Sequence, residues 1–271
     1  MNTFDPNTDQ LLVSQEDRVA VLTLNRPDAR NALSPELSRG LRESIAWAEA
    51  NDEIGALVIT GAGKAFCSGG DVKAMGQRSE APAPSLQSQF SDLQVRHRGT
   101  SGALVQMRKP TIAALPGAAA GAGMAIALST DLRVAADTAF LTTGYANIGL
   151  SGDYGIAWLL TRVVGPGRAR ELLLTGDRIN AERAEAIGLV NRVVPAESLM
   201  DATLELAQKL ANGPSIALSY IKDNLDEALT IDHMTAIDRE ADRLLKARST
   251  NDHREAVKAF AEKRAPQFTG S

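Results

Sequence analysis

The spacing of apolar positions divides the chain into two unlike stretches. Residues 11–15 and 19–25 read as two strands separated by the polar "QEDR". Leu37, Leu41 and Ile45 then recur at helical spacing, with Ser34 placed to cap and Pro35 at the first helical position. "IGALVITGAG" is a continuous apolar run closed by Gly61 and Gly63, the pattern of a buried strand. "KPTIAALPGAAAGAGMAIALSTDLRVAA" repeats that plan as strand, small-residue turn, short helix and strand. Recurring strand–helix units predict an α/β class. The Pro/Ser-rich "QRSEAPAPSLQ", residues 77–87, is predicted to be a mobile loop. From about residue 196 the strand pattern stops. "ESLMDATLELAQKLAN", "SIALSYIKDNLDEAL", "HMTAIDREADRLLKAR" and "DHREAVKAFAEKR" all read as helices whose apolar faces need a surface to cover them. The expected organisation is an α/β core over 1–195 and a helical region over 196–271.

Composition narrows the function classes. The 29 basic and 33 acidic residues give a mildly acidic chain without a basic block, which argues against a nucleic-acid partner. Cys67 stands alone, so no intrachain disulfide framework is available. "MNTFDPNTDQ" has neither an apolar signal core nor an Arg-rich transit pattern. The most apolar stretch contains Pro and several Gly and is dominated by Ala, which fits buried core better than a membrane span. A soluble, cytoplasmic protein is expected.

Common ligand motifs fail on inspection. "GAGKAF" and "GAGMAI" place Phe66 and Ile126 where a dinucleotide fingerprint needs its third glycine. Lys64 is followed by Ala65 rather than Ser or Thr, and "GLSGD" ends in Asp153 where a nucleophile elbow needs glycine. His97, His233 and His253 are scattered, so no metal site is expected, and His97 reads as a packing or surface residue. Two segments survive, "GAGKAFCSGGDV" and "PGAAAGAGMAIA", which set small residues between a strand and a helix. Glycine lets a backbone approach closely, and a helix start carries free N–H groups. Two such turns facing each other would supply paired donors to a developing oxyanion.

At this point the chain resembles the crotonase (enoyl-CoA hydratase/isomerase) superfamily, through "LNRPDARNALS" at 24–34, "GKAFCSGGDVKAM" at 63–75, "KPTIAALPGAAAGAGMAIALSTDLRVA" at 109–135, "IGLSGDYG" at 148–155 and "AERAEAIGLVNRVVP" at 181–195. The resemblance implies a spiral of ββα units, a C-terminal helical region used for trimerisation (often within a hexamer), and a coenzyme A thioester as substrate rather than a separate cofactor. It places the oxyanion-hole donors on the backbone N–H of Cys67 and Ala122. Ala65, Cys67, Ser68, Gly69, Gly70 and Asp71 would line the CoA moiety. Phe260 and Lys263 fall in "AFAEKR", similar to the C-terminal segment that reaches CoA, although Lys263 is equally readable as a solvated helix charge.

The departures from the family pattern carry the functional question. Hydratases of this family use two glutamates, and the matching positions here are Ala125 and Gly144. Asp131 and Asp137 are the only acids between 112 and 152, and the match puts both outside the pocket. Asp153 matches an aspartate that moves a proton in some enoyl-CoA isomerases and attacks an aromatic carbon in chlorobenzoyl-CoA dehalogenases. The competing reading is that Asp153 caps the helix starting "YGIAWLLTRVV". One carboxylate suits double-bond isomerisation, which needs a single shuttling base, better than hydration. A hydratase using Asp153 and water, a thioester lyase or hydrolase, and a non-catalytic acyl-CoA binder remain as alternatives. Tyr145, Tyr154 and Trp158 are too few to define an aryl pocket.

Overall fold

The computed structural model describes residues 4–71 and 85–271. Strands β1 (Leu11–Glu16) and β2 (Val19–Leu24) are the two expected strands, and they pair antiparallel with Leu11 opposite Leu24. Helix α1 (Pro35–Ala50) begins where Ser34 Oγ accepts the Leu37 N–H at 3.0 Å, and Leu37, Leu41 and Ile45 are fully buried.

The remaining core is built from strand pairs. β3 (Ala56–Gly61) is followed by β4 (Ala65–Cys67), β5 (Thr111–Leu115) by β6 (Ala118–Ala120), and β7 (Leu132–Ala136) by β8 (Phe140–Thr142). The first member of each pair joins a six-stranded sheet ordered β1-β2-β3-β5-β7-β10, parallel from β2 onward, with β10 at Arg192–Val194. The second member joins a four-stranded sheet, β4-β6-β8-β9, with β9 at Ile179–Asn180. Along the chain these strands alternate with helices α2 (Leu86–His97), α3 (Ala103–Gln106), α4 (Ala122–Leu128), α5 (Ile156–Thr175) and α6 (Ala181–Ala186). This winding of ββα units is the expected spiral.

Two readings of the chain change. The residues taken as small-residue turns contain β4 and β6, strands of three residues each. Too short to show a period, they are held by pairing with each other rather than by their own pattern. Of the loop predicted over 77–87, residues 77–84 lie outside the described residues. Ser85 caps α2 by accepting the Ser88 N–H, and Leu86 and Gln87 are helical.

The C-terminal helices follow the sequence pattern: α7 (Leu199–Ala211), α8 (Ser215–Glu227), α9 (His233–Arg248) and α10 (Asn251–Glu262). Helix α7 lies on the large sheet and buries Leu199, Thr203, Ala207 and Ala211. Helices α8 and α9 leave Ile221, Leu225, Met234 and Leu244 exposed. Among the described residues, no helix is long and apolar enough to cross a membrane.

One contact sets how closely the two layers approach. Gly123, in the first turn of α4, sits so near β4 that a Cβ there would lie 2.2 Å from the Cys67 carbonyl oxygen. Gly123→Ala must therefore push the helix off the strand, at about 1–3 kcal/mol for overpacking. In a chemical denaturation experiment the midpoint should fall accordingly with the slope unchanged. An unmoved midpoint would show that the layers are not in fixed contact.

Candidate active site

The two glycine turns predicted to face each other do so. Gly69 has φ +91°, open to glycine at little cost, and a Cβ there would stand 2.8 Å from the Ala120 carbonyl oxygen and 3.4 Å from the Ala122 nitrogen. Gly121, before α4, has φ +52°, ψ −123°. Ala122 is the first residue of α4, so its N–H has no partner within the helix.

The turn after β4 holds the predicted CoA-lining residues in graded exposure. Ala65, Cys67 and Gly69 are buried, while Ser68, Gly70 and Asp71 are half-buried. Ser68 N–H donates to Arg30 O and Leu33 N–H to Gly69 O, which ties the turn to the "NRPDARNALS" segment. Asp71 pairs with Arg26 at 3.4 Å. Cys67 has no exposed surface, and its carbonyl faces Gly123. Gly70 is partly exposed, pairs with Leu33 in a parallel bridge, and its N–H makes no hydrogen bond among the described residues. Phe260 and Lys263 lie on the outer surface of α10 and its C-terminus, with Phe260 87% exposed.

Asp153 sits half-buried in a tight turn before α5. Gly152 (φ +121°), Tyr154 (φ +48°) and Gly155 (φ +77°) are all left-handed, and for Tyr154 that conformation is strained. Side chains hold it in place. Ser101 Oγ donates to the Tyr154 carbonyl at 2.7 Å and meets Ser129 Oγ at 2.7 Å, while the His97 ring lies 4.2 Å from the Tyr154 ring. His97 is thus a packing residue at the end of α2, as the sequence suggested. The helix-cap reading of Asp153 is not realised. Gly155 is the N-cap of α5 and no side chain caps it, whereas Asp153 Oδ1 accepts the Tyr145 hydroxyl at 2.5 Å.

Burial raises the Asp153 carboxyl above the ordinary aspartate range, opposed by the Tyr145 hydrogen bond and the charges of His97 and Arg96. The Asp153 charge in turn helps raise the Tyr154 phenol, and contributes to the rise of the Cys67 thiol, so carboxylate and turns share one electrostatic neighbourhood. Ala125, fully buried in α4, and Gly144, with φ +64°, bring no proton-transfer group. The Tyr145 contact and the Ser101 clasp were not read from the sequence. The only signal was an aromatic residue eight positions before Asp153 in a run of small residues.

A spiral of strand pairs whose second members form their own small sheet, with two glycine turns facing each other, is the architecture of the crotonase-fold enzymes. The chain belongs to the enoyl-CoA hydratase/isomerase family, whose model matches residues 14–271. It is 38% identical to a 1,2-epoxyphenylacetyl-CoA isomerase of Escherichia coli (strain K12), over 96% of this chain and 98% of that one. It is 33% identical to a short-chain-enoyl-CoA hydratase of Clostridium acetobutylicum, over 94% and 95%. A solved enoyl-CoA hydratase from Bacillus anthracis superposes with TM-score 0.89 at 30% identity, covering 97% of this chain and 100% of that one. Another from Polaromonas sp. JS666 gives TM-score 0.88 at 36% identity, covering 96% and 99%.

Burial pushes the Cys67 thiol up to about 12, which leaves almost no thiolate near neutral pH. Native protein treated with iodoacetamide at pH 8 should stay unlabelled and take up one carbamidomethyl group only after denaturation. Rapid labelling of the folded chain would contradict the placement of β4.

Proposed function

We propose that the chain isomerises enoyl-CoA thioesters, moving a carbon–carbon double bond with Asp153 as the single acid/base. The carrying observation is the carboxylate inventory. By the spacing of the family pattern, Ala125 and Gly144 fall where a two-glutamate hydratase has its acids, while Asp153 is half-buried and its charge acts on Cys67 of β4. In this reading Asp153 removes a proton from C2 of a 3-enoyl thioester. The electron pair of the broken C–H bond passes onto the thioester oxygen, and the resulting dienolate is reprotonated at C4 by the same carboxyl group. Nothing is oxidised or reduced, and no water enters the product.

The thioester oxygen is held by backbone donors. Ala122 N–H supplies one. Within residues 65–71, the N–H of the partly exposed Gly70 suits the second role better than that of Cys67, a residue of β4 with no exposed surface. Donors of this kind contribute roughly 10²–10³-fold each in related chemistry. The relative named as a 1,2-epoxyphenylacetyl-CoA isomerase is consistent with isomerase chemistry, beside relatives named as enoyl-CoA hydratases. The exposed faces of α8 and α9 are covered by further copies of the chain in a trimer or hexamer, and Phe260 and Lys263 meet CoA within that assembly.

Asp153→Asn preserves shape and removes the base. Its rate on a 3-enoyl-CoA should fall by about 10²–10⁴-fold, while the protein still shows thermal stabilisation by an acyl-CoA. The parent protein should convert 3-enoyl-CoA much faster than it hydrates 2-enoyl-CoA. Wild-type isomerisation by the variant would sink the mechanism, and fast hydration of 2-enoyl-CoA would make the chain a hydratase instead.

A further inference from the structure

We propose that Tyr145 is the positioning residue of the site, holding Oδ1 of Asp153 so that Oδ2 is the atom that takes and returns the proton. The inference rests on the assignment of Asp153 as acid/base. Two contacts of one side chain carry it. The Tyr145 hydroxyl donates to Oδ1 at 2.5 Å, and Oδ2 has no hydrogen-bond partner among the described residues. The Tyr145 ring lies against the N-cap of α4, where an ideal Cβ on Gly121 would be 3.9 Å from ring carbons. Gly121 immediately precedes the Ala122 donor. One 5% exposed side chain therefore spans from the oxyanion turn to the carboxylate and fixes the distance between them.

This link matters because the turn bearing Asp153 is flanked by glycines at 152 and 155, so its backbone alone would not hold the carboxylate. A displacement of about 1 Å in a reacting group costs on the order of 10²-fold in rate. The hydrogen bond also selects an oxygen, since a lone pair engaged by a phenol is a weaker base than a free one. Burial and the Asp153 charge push the Tyr145 phenol well above its ordinary value, so it remains a donor throughout the working pH range.

The groups facing Asp153 are Tyr145, His97 and Arg96 from α2, the adjacent Tyr154, and Cys67 from β4. Removing the Tyr145 donor withdraws an interaction that favours the ionised carboxylate, so the Asp153 pKa rises further. Isomerisation needs that carboxylate ionised, and the acid limb of the rate profile must then move to higher pH.

The test is the pH dependence of 3-enoyl-CoA isomerisation by Tyr145→Phe beside Asp153→Asn. Tyr145→Phe should lower kcat about 10–100-fold with KM within about twofold, and its acid limb should shift upward. Replacing Tyr145 by 3-fluorotyrosine, a near-isosteric and stronger donor, should move the limb to lower pH without disturbing the fold. An inactive Asp153→Asn with both limbs unmoved overturns the role of Tyr145 alone. An active Asp153→Asn overturns the acid/base assignment itself.

Discussion

The close approach of two backbone segments is the constraint on which the rest of this structure depends. β4 and the start of α4 come together at a separation that admits no side chain, with Gly123 against the Cys67 carbonyl and Gly69 against the Ala120 carbonyl. That approach orders the second sheet, whose strands are too short to persist alone. It also leaves the first N–H groups of α4 unpaired at a fixed place. The packing of the fold and the donors of the site are consequences of the same contact.

The carboxylate is positioned differently, by side chains acting on a strained turn. Gly152 and Gly155 permit the reversal, and Tyr154 is kept left-handed between them by Ser101 and His97. Burial weakens Asp153 as an acid, while the Tyr145 hydroxyl and the nearby cationic groups favour its ionised form. The balance leaves a carboxyl raised above its ordinary range, which suits the proposed role of accepting and returning a proton.

Much of this architecture was legible in the residues. Ser34 and Pro35 mark the start of α1, the Leu37–Leu41–Ile45 stripe marks its buried face, and four amphipathic segments become α7 to α10. The family pattern then supplied the spiral and directed attention to the turns and to Asp153. What could not be read has physical causes. β4 and β6 contain three residues each, below any periodic signal, and exist only through mutual pairing. The contact of Tyr145 with Asp153 depends on a turn that doubles the chain back, and spacing in sequence does not report it. Phe260 and Lys263 are exposed in the single chain, at the C-terminal end of α10.

A single carboxyl that carries the proton leaves an isotopic trace which hydration or a two-base route does not. A 3-enoyl-CoA carrying deuterium at C2, converted in ordinary water, reports directly on that shuttle by mass and NMR analysis of the product. The account predicts 2-enoyl-CoA in which part of the label has moved to C4, because the half-buried Asp153 returns the proton before it fully exchanges. Product with only solvent hydrogen at C4, or accumulation of a 3-hydroxyacyl-CoA, would contradict it.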